Sequence, residues 1–149
     1  MMDYSQAFEI SASGMTVEKL RIDLTAVNIA NMHSAAGADG TLFRPLRVVS
    51  RPSMPVFASQ FEDGSGDAVY KLRGAQIHSV QEVEVPPRSV YEPGNPGADE
   101  RGFVALPGVD HVSEMVTLIV ALRAYEANVA AMNAAKTMAV KALEIGGNQ

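Results

Sequence analysis

The sequence predicts an α+β fold in which long N-terminal and C-terminal helices pair antiparallel and flank a small β-rich insert. All eight prolines lie between residues 45 and 107, and nine of the twelve glycines lie between residues 37 and 108. Proline cannot donate to a helical hydrogen-bond ladder and glycine weakens one. The two ends of the chain are therefore the parts that can form long helices, and apolar spacing at both ends supports this.

The first helix is predicted from about Ser5 to Met32, within an N-terminal arm that spans residues 1–34. Residues that can pack against a second helix recur there at alternating steps of three and four, which is the heptad spacing of a coiled-coil-like seam. Gly14 interrupts the helix at some cost in helix propensity. The seam consists of Ile10, Ser13, Val17, Leu20, Leu24, Val27 and Asn31.

The insert is predicted to span residues 35–110 and to hold several short strands. Its clearest strand alternates apolar and polar residues, which is typical of a strand with one face in water. A run rich in glycine, aspartate and serine at residues 62–67 indicates a polar turn. We predict strands at residues 42–50, 55–60, 69–73 and 75–85.

The second helix is predicted from about Val112 to Ile145, within a C-terminal arm that spans residues 111–149. Ser113, with Glu114 beside it, is the predicted start, and two glycines follow the predicted end as a C-cap. Frequent alanines make this helix thin, so we expect neighbours to approach it from more than one side. Its main stripe consists of Met115, Leu118, Leu122, Tyr125, Val129, Met132, Lys136, Ala139 and Leu143, and Val116, Ile119 and Val140 widen it.

The composition argues against catalysis, metal binding and nucleic-acid binding. The chain has no cysteine, and its three histidines are isolated from one another, so neither thiolate chemistry nor a metal site is expected. Glu82 and Glu84 could form a catalytic carboxylate pair, but a solvated strand edge explains them better. The net charge is −5 and no segment is basic, which argues against a nucleic-acid partner. We expect no enzyme activity and no cofactor.

The sequence also predicts a chain that is not inserted directly into a membrane. The N-terminus has neither a basic start nor a continuous apolar run, so no cleavable secretory signal is visible. The most apolar stretch, near Met115 to Leu122, is predicted to be too short and too interrupted to span a bilayer.

Three segments carry a specific family resemblance. The first contains Ala-Ser-Gly-Met at 12–15 and Val-Asn-Ile-Ala-Asn at 27–31; the second runs from Val90 to Asp110; the third lies within 114–138. Together, in this order, they resemble the bacterial flagellar basal-body rod proteins. The Tyr-Glu-Pro-Gly-Asn-Pro run before the last helix narrows the resemblance to the proximal rod proteins.

This resemblance implies a structural subunit of the rod, the driveshaft that transmits torque from the motor's membrane ring to the hook. It implies export by the flagellar type III apparatus without signal cleavage, and assembly in the periplasm with the terminal helices forming the inner wall of a tube. The implied partners are other copies of the chain, other rod proteins, the adaptor between the MS ring and the rod, and the export apparatus.

We expect both helices to supply the assembly interface, with asparagines fixing register because a polar amide in a seam penalises misaligned packing. The alternative is that these asparagines face solvent or cap helix ends, and for Asn31 the two roles are equally supported. A run of six residues before the last helix indicates consecutive tight turns, because its prolines fix φ and Gly94 relieves strain. The run consists of Tyr91, Glu92, Pro93, Gly94, Asn95 and Pro96. The predicted interface consists of Ile10, Val17, Leu20, Leu24, Val27, Asn28, Asn31, Met115, Leu118, Leu122, Tyr125, Asn128, Val129, Met132, Asn133 and Lys136.

An energy comparison predicts that the arms are weakly ordered in the free monomer. Burying the five apolar seam residues of the first arm yields roughly 10 kcal/mol at about 1.5–3 kcal/mol each. Ordering the backbone costs about 1–2 kcal/mol per residue before hydrogen bonds offset it.

The alternative function is a stand-alone helical binding or adaptor module with a β insert, which would be compact and protease-resistant at both ends.

Overall fold

The computed structural model describes residues 4–36, 40–53 and 73–146. It confirms the α+β class, with a helix at each end and small antiparallel sheets between them. The helices begin and end within one or two residues of the predicted bounds. The elements, in chain order, are α1 (Tyr4–Asn31), β1 (Leu46–Pro52), β2 (Ala75–Glu82), β3 (Arg88–Tyr91), β4 (Phe103–Leu106) and α2 (His111–Gly146).

The described strands form two separate antiparallel pairs, β1 with β2 and β3 with β4. The β1–β2 register shifts between Val49 and Ser50. The first predicted strand begins later than expected, after Pro45, and the strand predicted at 75–85 ends at Glu82, shortly before two consecutive prolines that cannot donate ladder hydrogen bonds. The strand predicted at 55–60 and all but Arg73 of the one at 69–73 lie outside the described residues. The prediction missed β3 and β4.

The start of α2 differs from the prediction. The Asp110 carboxylate accepts a hydrogen bond from the Ser113 backbone N–H at 2.9 Å, and the Asp110 carbonyl accepts one from the Glu114 N–H at 3.0 Å. Asp110 is therefore the N-cap residue, since its side chain satisfies a backbone donor that the first turn leaves free. The prediction that Ser113 begins the helix is wrong, and Glu114 is free for a contact elsewhere.

The β1–β2 sheet is fastened to α1 near both of its ends. The Ser13 hydroxyl donates to the Ile10 carbonyl at 2.7 Å and accepts from the Ala75 N–H at 3.0 Å. The Asn28 amide accepts from the Leu46 N–H at 2.8 Å and donates to the Leu46 carbonyl at 3.0 Å. These two α1 residues lie fifteen positions apart in the sequence, or about 22 Å at 1.5 Å per residue. The sheet therefore lies along α1.

The two helices pack against each other, and Asn128 of α2 lies directly against Gly14 of α1. A Cβ atom built at Gly14 would lie 2.8 Å from Asn128 Oδ1 and 2.9 Å from Asn128 Nδ2. The Asn128 amide therefore occupies the space that a side chain at position 14 would need. Near the other end of α1, Asn28 donates to Glu114 of α2 at 3.1 Å. The glycine that weakens the predicted helix is thus explained by helix packing.

Replacing Gly14 by alanine is expected to lower the free energy of unfolding by about 1 kcal/mol. Alanine should gain up to about 1 kcal/mol in helix propensity, but overpacking against Asn128 should cost about 1–3 kcal/mol. Denaturant titration of the purified chain measures the difference. The double variant G14A/N128A should be more stable than G14A, since the colliding amide is gone. A G14A variant more stable than the unmodified chain would contradict this packing.

Few apolar side chains are buried within the described part of the chain. Only Glu114, Ala121 and Ala135 of α2 are buried, although α2 is 36 residues long. Most of its larger apolar side chains therefore stay largely exposed in the described part of the chain. The buried apolar residues are Val17, Val104, Leu106, Val109, Ala121 and Ala135.

Candidate functional site

An exposed apolar face runs along α2. Val112, Val116 and Ile119 are 68%, 55% and 54% exposed and follow helical spacing, and the exposed series resumes near the end of the helix. Apolar surface of this extent marks a site of interaction with protein or membrane. We define the apolar face of α2 as its exposed apolar residues, which spread over more than half of the helix circumference at 3.6 residues per turn: Val112, Met115, Val116, Ile119, Val120, Leu122, Met138, Val140, Leu143 and Ile145.

The residues predicted as interface on α2 are divided by the structure into exposed and half-buried groups. Met115, Leu122, Asn133 and Lys136 are exposed. Several more exposed apolar residues lie outside the predicted set, because heptad spacing identifies a stripe but does not show which side of it a neighbouring helix covers. The half-buried members are Leu118, Tyr125, Asn128, Val129 and Met132.

On α1, the buried face lies beside the predicted seam. Val17 is buried but Val27 is 40% exposed. The other buried positions are Ser11, Thr25 and Asn28, which apolar periodicity cannot identify because they are polar. The remaining predicted residues are half-buried: Ile10, Leu20, Leu24 and Asn31.

A buried polar junction joins α1, β1 and α2. Glu114 of α2 is 2% exposed. One of its carboxylate oxygens accepts from Arg47 Nη1 of β1 at 2.9 Å and from Asn28 Nδ2 of α1 at 3.1 Å. The other oxygen bonds to Arg47 Nη2, so the guanidinium binds the carboxylate through two nitrogens. We call this group the Asn28–Arg47–Glu114 junction.

The electrostatics of the junction favour the ionised carboxylate. Burial by itself raises the pKa of Glu114, as does the nearby Asp110, but hydrogen bonds from Arg47 and Asn28 and the charge of Arg47 outweigh them and lower this pKa. The hydrogen bond to Glu114 raises the pKa of Arg47 against the opposing effect of its own burial. In the described part of the chain, no buried side-chain nitrogen or oxygen lacks a partner. Each buried polar side-chain atom of the junction therefore has at least one hydrogen-bond partner within the chain.

The predicted turn segment forms the connection between β3 and β4. Tyr91 is the last residue of β3 rather than a turn residue, and its ring packs edge-to-face on Phe103 with centroids 5.3 Å apart. The Asn95 side chain accepts from the Gly97 N–H at 3.0 Å, as expected of a turn. Gly94 has no positive φ; Gly102 does, at 81°. The left-handed position is therefore Gly102, and the strain-relieving role predicted for Gly94 is wrong.

The crevice beside the junction is too small for a typical small-molecule ligand. A crevice of about 60 Å³ lies beside the junction, well below the roughly 300 Å³ of a typical small-molecule pocket. Within residues 4–36, 40–53 and 73–146, no cluster of three or more histidine, aspartate or glutamate side chains could hold a metal ion. The crevice is lined by Arg21, Leu24, Thr25, Leu46, Arg47, Val48 and Thr117.

By length and composition, α2 could cross a membrane. It contains an 18-residue stretch of mean hydropathy 1.3 with at most two charged residues. The expectation that its apolar stretch is too short is therefore wrong, because the helix continues past Leu122 through alanine-rich turns. One such helix is weak evidence for a span, since helices that pack within soluble proteins share these properties.

Comparison with known proteins identifies the family. The model of the family "Flagellar basal body rod FlgEFG protein C-terminal" matches residues 100–145, which include β4 and nearly all of α2. The flagellar basal-body rod protein FlgC of Salmonella typhimurium is 37% identical over 139 residues, covering 93% of this chain and 95% of that protein. FlgC of Aquifex aeolicus is 40% identical over 148 residues, covering 97% and 98%. FlgC of Bacillus subtilis is 35% identical over 147 residues, covering 94% and 96%. The chain therefore belongs to the FlgC family and is a structural subunit of the flagellar basal-body rod.

Proposed function

We propose that this rod subunit assembles through the apolar face of α2, which neighbouring subunits cover. The observation that carries the proposal is the exposure of that face: Leu143 and Ile145 are 76% and 78% exposed, and only three residues of α2 are buried. A helix packed in this way gains little hydrophobic stabilisation from its own chain. Assembly would supply the missing contacts and order the arms fully.

We propose further that α1 and α2 run antiparallel as a coiled-coil-like pair, which forms part of a tube in the assembled rod. Two contacts support this direction. Gly14 meets Asn128, and Asn28 meets Glu114, so a step of fourteen residues forward on α1 matches fourteen backward on α2. By the same offset, the first residues of α1 lie opposite residue 138. The last two turns of α2 then extend past α1, where Leu143 is exposed.

We propose that those predicted interface residues that are exposed in the single chain contact neighbouring subunits. Among them are Val27, Met115 and Leu122. Asn28 is 0% exposed and its amide bonds within the chain, so we propose that it sets register between α1, β1 and α2 and acts on assembly only through them. Asn133 and Lys136 are exposed polar residues that could fix register between subunits.

The wider organisation is proposed from the family membership of the chain. We propose that the arms, residues 1–34 and 111–149, form one helical unit, and that the insert, residues 35–110, contacts neighbouring rod components. The proposed partners are other copies of the chain, other rod proteins, the adaptor between the MS ring and the rod, and the export apparatus. We propose type III export to a periplasmic rod without signal cleavage, no nucleic-acid partner and no direct membrane insertion, with apolar contacts made to protein.

Replacing Ile119 by aspartate is expected to abolish rod assembly while the monomer keeps its fold. The side chain is 54% exposed, so the change costs little within the chain but places a charge in the proposed interface, where an unpaired buried charge is strongly unfavourable. Motility of cells whose own copy is replaced by the variant measures assembly, and circular dichroism of the purified chain measures folding. Ile119→Leu is the matched control and should support motility. Normal motility with Ile119→Asp would contradict the proposed surface.

A further inference from the structure

The Asn28–Arg47–Glu114 junction provides a side-chain connection between β1 and α2. Among the described residues, the other ion pairs each lie within a single helix, at spacing i, i+3. The helix α2 packs against α1, and the β1–β2 sheet packs separately against α1. The bond from Arg47 to Glu114 therefore links two bodies that otherwise meet through α1.

The connection between the sheet and α1 is of a different chemical kind. Asn28 and Ser13 bind the backbone of Leu46 and Ala75 through neutral hydrogen bonds, which do not depend on pH. The bond from Arg47 to Glu114 depends on the charge of one buried carboxylate. The two connections can therefore be separated by changing the charge of that carboxylate alone.

The charges around the junction favour opening once this carboxylate is neutral. The groups that face Glu114 are Arg47 from β1, the Asn28 amide from α1 and Asp110 at the start of α2. Arg21 of α1 lines the same crevice as Arg47 and is paired with Glu18 at 2.7 Å. With Glu114 protonated, Arg47 loses its counter-ion while Arg21 remains nearby, and the guanidinium is expected to turn towards solvent.

We propose that the Asn28–Arg47–Glu114 junction is an acid-released latch: protonation of Glu114 frees the first turns of α2 from β1 and from Asn28 of α1, while the packing of α2 against α1 near Gly14 and Asn128 is kept. The latch acts within one chain and does not depend on the assembly proposed above. It would let the start of α2 move relative to the sheet, which stays bound to α1, without unfolding either helix.

The direction of the pH dependence follows from the direction in which the pKa of the Glu114 carboxylate is shifted. The pKa of Glu114 in the folded chain lies below its ordinary value of 4.5. The latch therefore contributes its full stabilisation above that ordinary value and loses it as the pH falls through the lower, folded-state pKa. Opening is expected in acid, below pH 4.5.

Spin-label distance measurements on the full chain test the latch, and the absence of cysteine allows clean labelling. The pair Val80→Cys and Val116→Cys reports the distance from sheet to α2, and the pair Ala12→Cys and Ala131→Cys reports helix packing; all four positions are exposed. On titration from pH 7 to pH 3, the first distance should gain a second, longer population, and the second distance should stay unchanged.

Glu114→Gln should show the longer population already at pH 7, with little further change in acid. Glu126→Gln, which alters an exposed carboxylate paired with Arg123, should behave as the unmodified chain. A sheet-to-helix distance that stays constant down to pH 3 would overturn the latch, as would loss of both distances at the same pH. If Glu114→Gln loses its helix content at pH 7, the titration of the unmodified sequence carrying the two label pairs decides the question.

Discussion

Replacing Arg47 by alanine is expected to lower the free energy of unfolding by about 3 kcal/mol. The change leaves the Glu114 carboxylate, which is 2% exposed, without its counter-ion, and removing one partner of a buried ion pair costs about 3–5 kcal/mol. We expect the lower end of this range because the Arg47 side chain is 40% exposed, so water can reach the vacated position. Equilibrium denaturation in urea at neutral pH measures the effect.

Two further variants show whether the loss comes from the stranded carboxylate. Combining Arg47→Ala with Glu114→Gln should recover part of the stability, since a neutral amide tolerates burial better than an unpaired charge. Arg123→Ala removes an ion pair whose side chains are 78% and 61% exposed, and should cost less than about 1 kcal/mol. Equal losses for Arg47→Ala and Arg123→Ala would contradict the importance assigned to the junction.

Placing proline at Leu24 or at Val129 is expected to abolish rod assembly and motility. Each residue lies well inside a helix, where proline removes a backbone hydrogen bond and its ring clashes with the preceding turn, at about 3 kcal/mol or more. Loss of helix by circular dichroism and loss of motility in complementation are the two measurements.

The control places proline where a helix accepts it. His111 is the first residue of α2 and follows the N-cap residue Asp110, and a proline at that position costs no intrahelical hydrogen bond. His111→Pro should therefore keep helix content and motility. Normal motility in both interior proline variants would show that continuous helices are not needed for assembly.

The sequence predicts the two helices well because long elements are delimited by strong local signals. Proline and glycine mark their limits, and the bounds of α1 and α2 fall close to those expected. The short strands β3 and β4, of four residues each, were missed. Their pairing joins residues across the turn at 92–102, and four residues carry too little periodicity to indicate a strand.

Which side of each helix is covered could not be predicted from spacing. The buried face of α1 includes Thr25 and Asn28, whose burial depends on hydrogen-bond partners far along the chain. Arg47 and Glu114 are separated by 67 residues, and no local pattern links them. Asn28 stood out through its motif, but the single sequence could not distinguish a contact between subunits from a contact within the chain.

The most direct test of the central claim is a high-resolution cryo-electron microscopy structure of an assembled rod that contains this chain. The claim predicts that the side chains of Val116, Ile119 and Leu143, which are 55%, 54% and 76% exposed in the single chain, are covered by neighbouring subunits. An intact rod in which these three side chains face solvent and contact no other chain would contradict it.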